Sequence, residues 1–227
     1  MIKLTDILKK VNKKIMEDVN TDQPPMVKFS MPQTAQVSRA DIPSGGKKPF
    51  VSREKDLSRK VADLSVSKIV DSAANVISSF ENNTSYKGGG FDKSTGKWFP
   101  HASVEGGMPT IAYGHKITSN SELDNYKKNG LTDREAKELL KKDIGLKMAD
   151  ARRLIKDFDK LSDQVKIAAL NGLYRGDLGP RTIEFLSARN FKQAAREYLN
   201  HREYKTTDKA GVKKRMEWNA AIFKNAS

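Results

Sequence analysis

The chain has 227 residues, enough for one domain of ordinary size with an extra segment or for two small domains. Its mean hydropathy of −0.66 is low for a compact single core and indicates that part of the chain is solvated or extended. It contains no cysteine, which excludes disulfide bonds and thiolate metal sites. The formal net charge of +14 favours a polyanionic partner: nucleic acid, an anionic membrane face or an acidic cell-wall polymer. No stretch approaches the roughly 20 apolar residues of a transmembrane helix, and the first residues lack the apolar core of a secretion signal. Because both signals are lacking, we expect a protein that is made and kept in a cytoplasm, or one that another component carries elsewhere.

The first two segments differ in composition from the rest. Residues 1–20 place apolar side chains at steps of three or four with lysines between them, which predicts an amphipathic helix that packs on its own domain or on a partner. A membrane-surface helix is the alternative, but the segment lacks an aromatic anchor. Residues 21–64 are rich in Pro, Gly, Ser and Gln and predict a linker or tethering arm. Residues 52–64 could instead form a short charged helix.

The next part of the chain predicts a helix followed by a small sheet. Residues 65–81 carry an apolar stripe at helical spacing that ends at Phe80, and Glu81 comes directly after it. Residues 86–118 are rich in glycine, threonine and aromatic residues. They predict two or three short antiparallel strands, with turns at 94–96 and 106–107.

From Thr132 onward the pattern is helical again. Thr132 and Glu135 form a capping box for the first of these helices. The further helices are predicted at 144–156, 162–175, 180–187, 190–199 and 209–224. The fold class expected for residues 65–227 is therefore α+β, mainly α, with a small antiparallel β lobe beside a larger helical lobe.

Two carboxylates with unlike surroundings are the minimum equipment for cleaving a glycosidic bond. Glu81 follows an apolar helix, and partial burial there would favour its protonated form. Glu105 lies in a glycine-rich turn that would favour an ionised partner, and Thr110 could hold the attacking water. His115 could brace a neighbouring carboxylate. Each of these residue types is more often an ordinary surface, turn, strand or structural residue.

Other chemistries have weaker support in the sequence. The three histidines, His101, His115 and His201, lack the spacing of metal ligands, so no metal site is predicted. No phosphate-binding loop and no Gly-x-Ser-x-Gly motif occurs, and no cofactor is predicted. Binding to a specific nucleic acid is suggested only by the charge, because the chain has no recognition motif.

The segment Thr110-Ile-Ala-Tyr-Gly-His115 after a helix-end glutamate resembles the phage-type lysozymes, the muramidase family of T-even phage lysozyme (glycoside hydrolase family 24). The resemblance extends over residues 66–224. It includes the segments 131–136, 168–174, 190–195 and 211–215. It implies a two-lobed lysozyme-like fold in which Glu81 is the catalytic acid, Thr110 the catalytic threonine and His115 the histidine after the hairpin.

The second carboxylate departs from the family pattern, in which an aspartate stands six residues before the threonine. Glu105 stands five residues before Thr110 and is the preferred candidate, and Asp92 is its competitor because the segment between Glu81 and Thr110 is longer than in compact members. Asn171 and Arg215 stand at motif positions that the resemblance implies either support the active-site cleft or bind substrate.

The resemblance implies a peptidoglycan hydrolase that cleaves the β-1,4 bond between N-acetylmuramic acid and N-acetylglucosamine, with inversion at the anomeric carbon. The first 64 residues suit attachment to a phage structural protein, which predicts a virion-associated enzyme that acts locally on the bacterial cell envelope. A free endolysin that waits in the host cytoplasm and a catalytically silent virion protein with a lysozyme fold are the alternatives.

Overall fold

A computed structural model describes residues 51–81 (backbone alone for 51–62), 90–102 and 109–226, all within one compact unit, Pro49–Ser227. Three predicted features lie outside the described residues: the helix at 1–20, most of the arm at 21–64, and the turn at 106–107 together with Glu105.

The first described helix, α1, spans Val51–Phe80 and is longer than the sequence pattern predicted. The predicted start of this helix at residue 65 is wrong, because residues 51–64 belong to the same helix; the structure agrees with the charged-helix alternative for residues 52–64. Arg, Lys, Glu, Leu and Ala favour helix without needing an apolar stripe, so the helix extends beyond the stretch that packs on the core. Asp63, Leu64 and Ser65 are exposed, whereas Ile77 is fully buried.

Two small antiparallel sheets follow α1. The strands are β1 (Phe91–Asp92), β2 (Lys97–Trp98), β3 (Thr110–Ile111), β4 (His115–Lys116) and β5 (Leu131–Thr132). The first sheet has the order β1-β2-β5, and the second is the hairpin of β3 and β4. The predicted turn at 94–96 is confirmed, with Gly96 at φ 66°. Strand β5 was not predicted, because its partner β2 lies far from it in sequence.

Helix α2 (Asn120–Asn129) was missed and helix α3 (Asp133–Leu154) was wrongly divided by the sequence pattern. No residue of α2 is buried, so it has no apolar stripe to reveal it. The capping box of Thr132 and Glu135 at the start of α3 is confirmed. Gly145 does not interrupt α3, and the chain continues as helix past residue 144, where a new helix was expected.

The remaining helices agree closely with the prediction, apart from a short helix α7 that was missed. They are α4 (Asp163–Arg175), α5 (Pro180–Ser187), α6 (Phe191–Leu199), α7 (Arg202–Thr206) and α8 (Ala210–Asn225). Gly176, at φ 85°, ends α4 in the left-handed conformation, and Pro180 begins α5.

Helix α4 lies at the centre of the helical part. It packs against α1, α3 and α8, while α6 packs most extensively on α8. Its side chains from Ala168 to Leu170 are fully buried, as are Ile144 of α3 and Phe223 of α8. The class α+β, mainly α, is therefore confirmed. Among the described residues, no helix is both long enough and apolar enough to cross a bilayer.

Candidate active site

Glu81 immediately follows helix α1, and its backbone N–H still donates to the carbonyl of Ile77 at 2.9 Å. The buried stripe of α1 fixes this end of the helix, because Ile77 is 0% exposed. Phe80 packs edge-on against Trp218 of α8, with 5.9 Å between ring centroids. The carboxyl group of Glu81 is thus delivered from a rigid helix end, and a side-chain exposure of 25% leaves part of it open to solvent.

Arg215 of α8 holds the Glu81 carboxylate. Its Nη1 donates to Glu81 Oε1, and its own side chain is only 4% exposed. The other edge of the guanidinium donates to Asn171 of α4, through Nε to Oδ1 at 2.8 Å and through Nη2 to the backbone carbonyl at 3.2 Å. Glu81, Arg215 and Asn171 therefore form one connected group that joins three helices.

Thr110 lies at the start of the hairpin of β3 and β4 and is 8% exposed. Its Oγ1 lies 3.3 Å from His101 Nδ1, and backbone hydrogen bonds of 2.9 Å run both ways between the two residues. Burial lowers the pKa of His101, which favours its neutral ring near pH 7. Gly114, at φ 92°, allows the tight reversal between the two strands.

Tyr174 connects this hairpin with the Glu81 group. It follows Asn171 by one helical turn on α4, and its hydroxyl donates to the carbonyl of Tyr113 in the hairpin at 2.8 Å. Burial raises the pKa of Tyr174, and the charges of Asp143 and Glu81 add to the rise while Arg215 opposes it. The Glu81 group and the hairpin that carries Thr110 are thus both joined to residues in the C-terminal part of α4. Sequence reasoning missed Tyr174, although its spacing from Asn171 places both on one face.

His115 braces carboxylates from two other elements. Its Nδ1 lies 2.9 Å from Asp143 of α3, and its Nε2 lies 3.2 Å from Glu122 of α2. The hydrogen bond to Asp143 raises the pKa of His115, against the lowering effect of burial. These contacts describe a histidine that joins β4, α2 and α3, and its two described hydrogen-bond partners do not include Glu81.

Asp92, the alternative second carboxylate, is engaged in its own turn. It accepts hydrogen bonds from Ser94 N and Ser94 Oγ at 2.9 and 2.7 Å and from Thr95 Oγ1 at 2.7 Å. The hydrogen bond from the Ser94 side chain, followed by that from Thr95, lowers the pKa of Asp92. This is the pattern of a residue that stabilises a turn. Glu105, its competitor, lies outside the described residues.

Two grooves in the described part of the chain contain neither Glu81 nor Thr110. One, of about 480 Å³, lies along α5 and α6, and the other, of about 300 Å³, lies between α1 and α3. The segments 82–89 and 103–108, which flank Glu81 and Thr110 in sequence, are outside the described residues. In that described part, no group of three or more His, Asp or Glu side chains could hold a metal ion.

The arrangement can hold a carboxyl group in one orientation and present a threonine on a neighbouring hairpin. One oxygen of Glu81 is engaged by Arg215, and the other has no hydrogen-bond partner among the described residues. A carboxyl group fixed in this way can transfer a proton to a group bound beside it. Comparison with known proteins gave no matching family model and no matching curated protein.

Proposed function

We propose that the protein is a peptidoglycan hydrolase, a muramidase that cleaves the β-1,4 bond between N-acetylmuramic acid and N-acetylglucosamine. One observation carries the proposal: Glu81 lies at a helix end, is partly open to solvent, and is paired with a buried arginine that Asn171 fixes. An ordinary solvated glutamate at a helix end would not need a buried arginine to hold its carboxylate.

Glu81 is the general acid in this proposal. Arg215 engages Oε1 and fixes the plane of the carboxyl group, which leaves Oε2 to carry the proton to the leaving oxygen. The orientation costs nothing at the moment of reaction, because Asn171 already holds the guanidinium on its other edge. The remaining exposure of Glu81 allows a sugar ring to reach it.

Glu105 is the ionised partner that stabilises the developing positive charge, and Thr110 positions the attacking water. Water on the face opposite Glu81 gives inversion at the anomeric carbon. Glu105 is preferred to Asp92 for a physical reason as well as for its spacing. Oδ1 of Asp92 accepts from Ser94 and Oδ2 accepts from Thr95, so its carboxylate already serves to stabilise its own turn.

The proposed fold is the two-lobed one of the phage-type lysozymes. It is supported by the two small sheets next to a helical part centred on α4, and by Tyr174, which joins that helix to the hairpin. The net charge of +14 would draw the enzyme to an anionic cell wall.

The decisive measurement is the clearing of purified peptidoglycan by the full chain and its variants, followed by mass spectrometry of the fragments. Wild type should release fragments with N-acetylmuramic acid at the new reducing end. Glu81→Gln keeps an acceptor for Arg215 and should fold, yet clear the wall at least about 1,000-fold more slowly because it has no proton to give. Glu184→Gln, at an exposed acid on α5, is the matched control and should match wild type.

Two outcomes would refute the assignment. Full activity of Glu81→Gln would remove Glu81 as the acid, and an inactive wild type would favour a silent lysozyme-like protein. Glu105→Gln and Asp92→Asn, assayed in parallel, identify the second carboxylate: the variant that loses activity without losing thermal stability carries that role.

We further propose that the enzyme is phage-encoded and attached to the virion through residues 1–64, so that it opens the wall locally during entry. Immunodetection in purified particles tests this. Detection only in lysates of infected cells would support a free endolysin instead.

A further inference from the structure

A chain of buried polar side chains continues from Asn171 away from the candidate active site. Asn171 Nδ2 donates to Asn219 Oδ1 at 2.9 Å, and Asn219 Nδ2 donates to the hydroxyl of Tyr198 at 2.8 Å. That hydroxyl donates to Asp177 Oδ1 at 2.5 Å. The four side chains belong to α4, α8, α6 and the loop between α4 and α5, and all of their residues are at most 2% exposed.

Asp177, at the end of this chain, is held firmly. Its backbone N–H donates to the carbonyl of Gly172 at 3.1 Å, and a Cβ added at Gly172 would lie 3.3 Å from Asp177 Oδ1. Arg175 Nε lies 3.4 Å from Asp177 Oδ2. A buried carboxylate is costly unless it is paired and hydrogen-bonded, and here the pairing comes from Arg175 and Tyr198.

The donor and acceptor roles along the chain follow from the acid at its end. Burial raises the pKa of Asp177, and the hydrogen bond from Tyr198 and the charges of Arg215 and Arg175 oppose that rise. The ionised carboxylate can only accept, so Tyr198 donates to it and accepts from Asn219. Asn219 then presents its NH₂ to Tyr198 and its oxygen to Asn171. Asn171 in turn presents its NH₂ to Asn219 and its oxygen to Arg215. Every hydrogen bond therefore points the same way, from Arg215 towards Asp177, and such bonds strengthen one another.

We infer that Asp177, Tyr198 and Asn219 are positioning residues for the proposed catalytic acid: through this one-directional chain they orient Asn171, which fixes Arg215 and so the carboxyl group of Glu81. None of the three contacts Glu81. This inference rests on the proposed function for its effect on catalysis, but the coupling itself is a property of the hydrogen-bond chain and can be measured without a substrate.

Tyr198→Phe removes one hydroxyl from the middle of the chain and leaves the ring in place. Phe223→Leu is the matched control, because Phe223 packs edge-on against the Tyr198 ring with 5.7 Å between centroids but has no polar atom that could join the hydrogen-bond chain. Both variants lose core or network interactions and should lower the melting temperature. Only Tyr198→Phe should lower kcat, by about tenfold, with KM changed by less than about twofold, since a misplaced acid affects proton transfer more than binding.

Nuclear magnetic resonance gives a readout that does not depend on activity. Tyr198→Phe should shift the side-chain NH₂ signals of Asn219 and Asn171, the Nε–H signal of Arg215, and the ¹³Cδ chemical shift of Glu81. Phe223→Leu should leave the Arg215 and Glu81 signals in place. If Tyr198→Phe does not fold, Asn219→Ala interrupts the chain one link closer to Arg215, and the same shifts are expected.

The two hypotheses fail in different ways. If wild type cleaves no peptidoglycan, the proposed function is wrong, and the resonance shifts still decide whether the chain positions Glu81. If wild type is active but Tyr198→Phe leaves kcat and the Glu81 and Arg215 signals unchanged, the inference is overturned while the proposed function stands. Equal loss of kcat in Tyr198→Phe and Phe223→Leu would also overturn it, because the effect would then be one of packing.

Discussion

Arg215 and Asn171 are joined by two hydrogen bonds, one to the side-chain oxygen at 2.8 Å and one to the backbone carbonyl at 3.2 Å. Both use the same edge of the guanidinium, Nε and Nη2, so Nη1 on the opposite side is left for Glu81. A planar guanidinium with two donor edges can bind Asn171 on one edge and Glu81 on the other, and the ammonium group of a lysine cannot.

Replacement of Arg215 by lysine should therefore break the group apart. Lysine keeps the positive charge but cannot reach Glu81 and both acceptors of Asn171. We expect the free energy of unfolding in urea to fall by about 1–3 kcal/mol, because buried acceptors lose their partners. Wall clearing should fall at least about tenfold, since Glu81 loses its fixed orientation.

Arg181→Lys is the matched control for this change. Arg181 is exposed on α5 and has no part in the Glu81 group, so the same substitution there should leave both stability and wall clearing unchanged. If Arg215→Lys behaves like Arg181→Lys, the guanidinium geometry has no importance and a positive charge near Glu81 is sufficient.

The sequence predicted those parts of the fold that depend on local burial. Helix α4 was expected at 162–175 with Val165 and Ala168 among its buried residues, and the structure agrees because an apolar stripe at helical spacing must pack on a core. Helix α2 was missed for the opposite reason: none of its residues is buried, so it has no apolar stripe. The first part of α1 was predicted only as an alternative, because residues 52–64 lack such a stripe as well. Strand β5 was missed because its position depends on pairing with β2.

The candidate site was predictable only where a motif marks it. Glu81, Asn171 and Arg215 stood out at motif positions, and the structure brings these three together. Tyr198 and Asn219 carry no local signal, because each is a single polar residue in an otherwise ordinary helix. Their contact with each other spans 21 residues of sequence, so only the packing of α6 on α8 reveals it.

Thr110 offers a test of the proposed water-positioning role through an isosteric pair of variants. Thr110→Val keeps the shape but removes the hydroxyl, and Thr110→Ser keeps the hydroxyl but removes the methyl group. We expect wall clearing to fall about 100-fold in the valine variant and less than about fivefold in the serine variant. The hydroxyl lies 3.3 Å from His101 Nδ1, so the valine variant also loses one weak contact.

Thermal stability distinguishes a loss of catalysis from a loss of folding in the Thr110 variants. The valine variant should unfold within a few degrees of wild type, because a single weak hydrogen bond contributes only about 1 kcal/mol. Clearing by Thr110→Val at the wild-type rate would exclude the hydroxyl from the reaction. A serine variant as slow as the valine variant would mean that packing of the methyl group is what matters.

We expect His115 to make the folding stability of the protein depend on pH. Its hydrogen bond to Asp143 raises its pKa in the folded state above the ordinary value of 6.5. A raised pKa means that the folded protein binds the proton more tightly than the unfolded chain does. The stabilisation that protonated His115 contributes is therefore fully present below about pH 6.5, and it is lost as the pH rises through the folded-state pKa.

Melting temperatures between pH 5.5 and pH 9 check this expectation, with the scan range set by the ordinary histidine pKa of about 6.5. Wild type should lose stability relative to His115→Gln as the pH rises, because glutamine keeps a hydrogen-bonding group but does not titrate. Asp143→Asn should remove most of the difference, since Asp143 makes the largest contribution to the shift. A pH-independent difference between wild type and His115→Gln would contradict the assignment.

Two glycines should respond in opposite ways to alanine. Gly145 lies inside α3 with nothing near the position of an added Cβ, so Gly145→Ala should raise the free energy of unfolding by about 0.5–1 kcal/mol through helix propensity. Gly130 follows α2 at φ 61°, and an added Cβ would lie 3.0 Å from the Phe99 ring and from the Trp98 carbonyl oxygen. Gly130→Ala should lower the free energy of unfolding by about 1–3 kcal/mol, because backbone strain and contact act together.

Urea unfolding measures both changes. Destabilisation by Gly145→Ala would mean that α3 bends or breaks at this residue, as the division of the helix near residue 144 implied, and that the continuous helix is wrong.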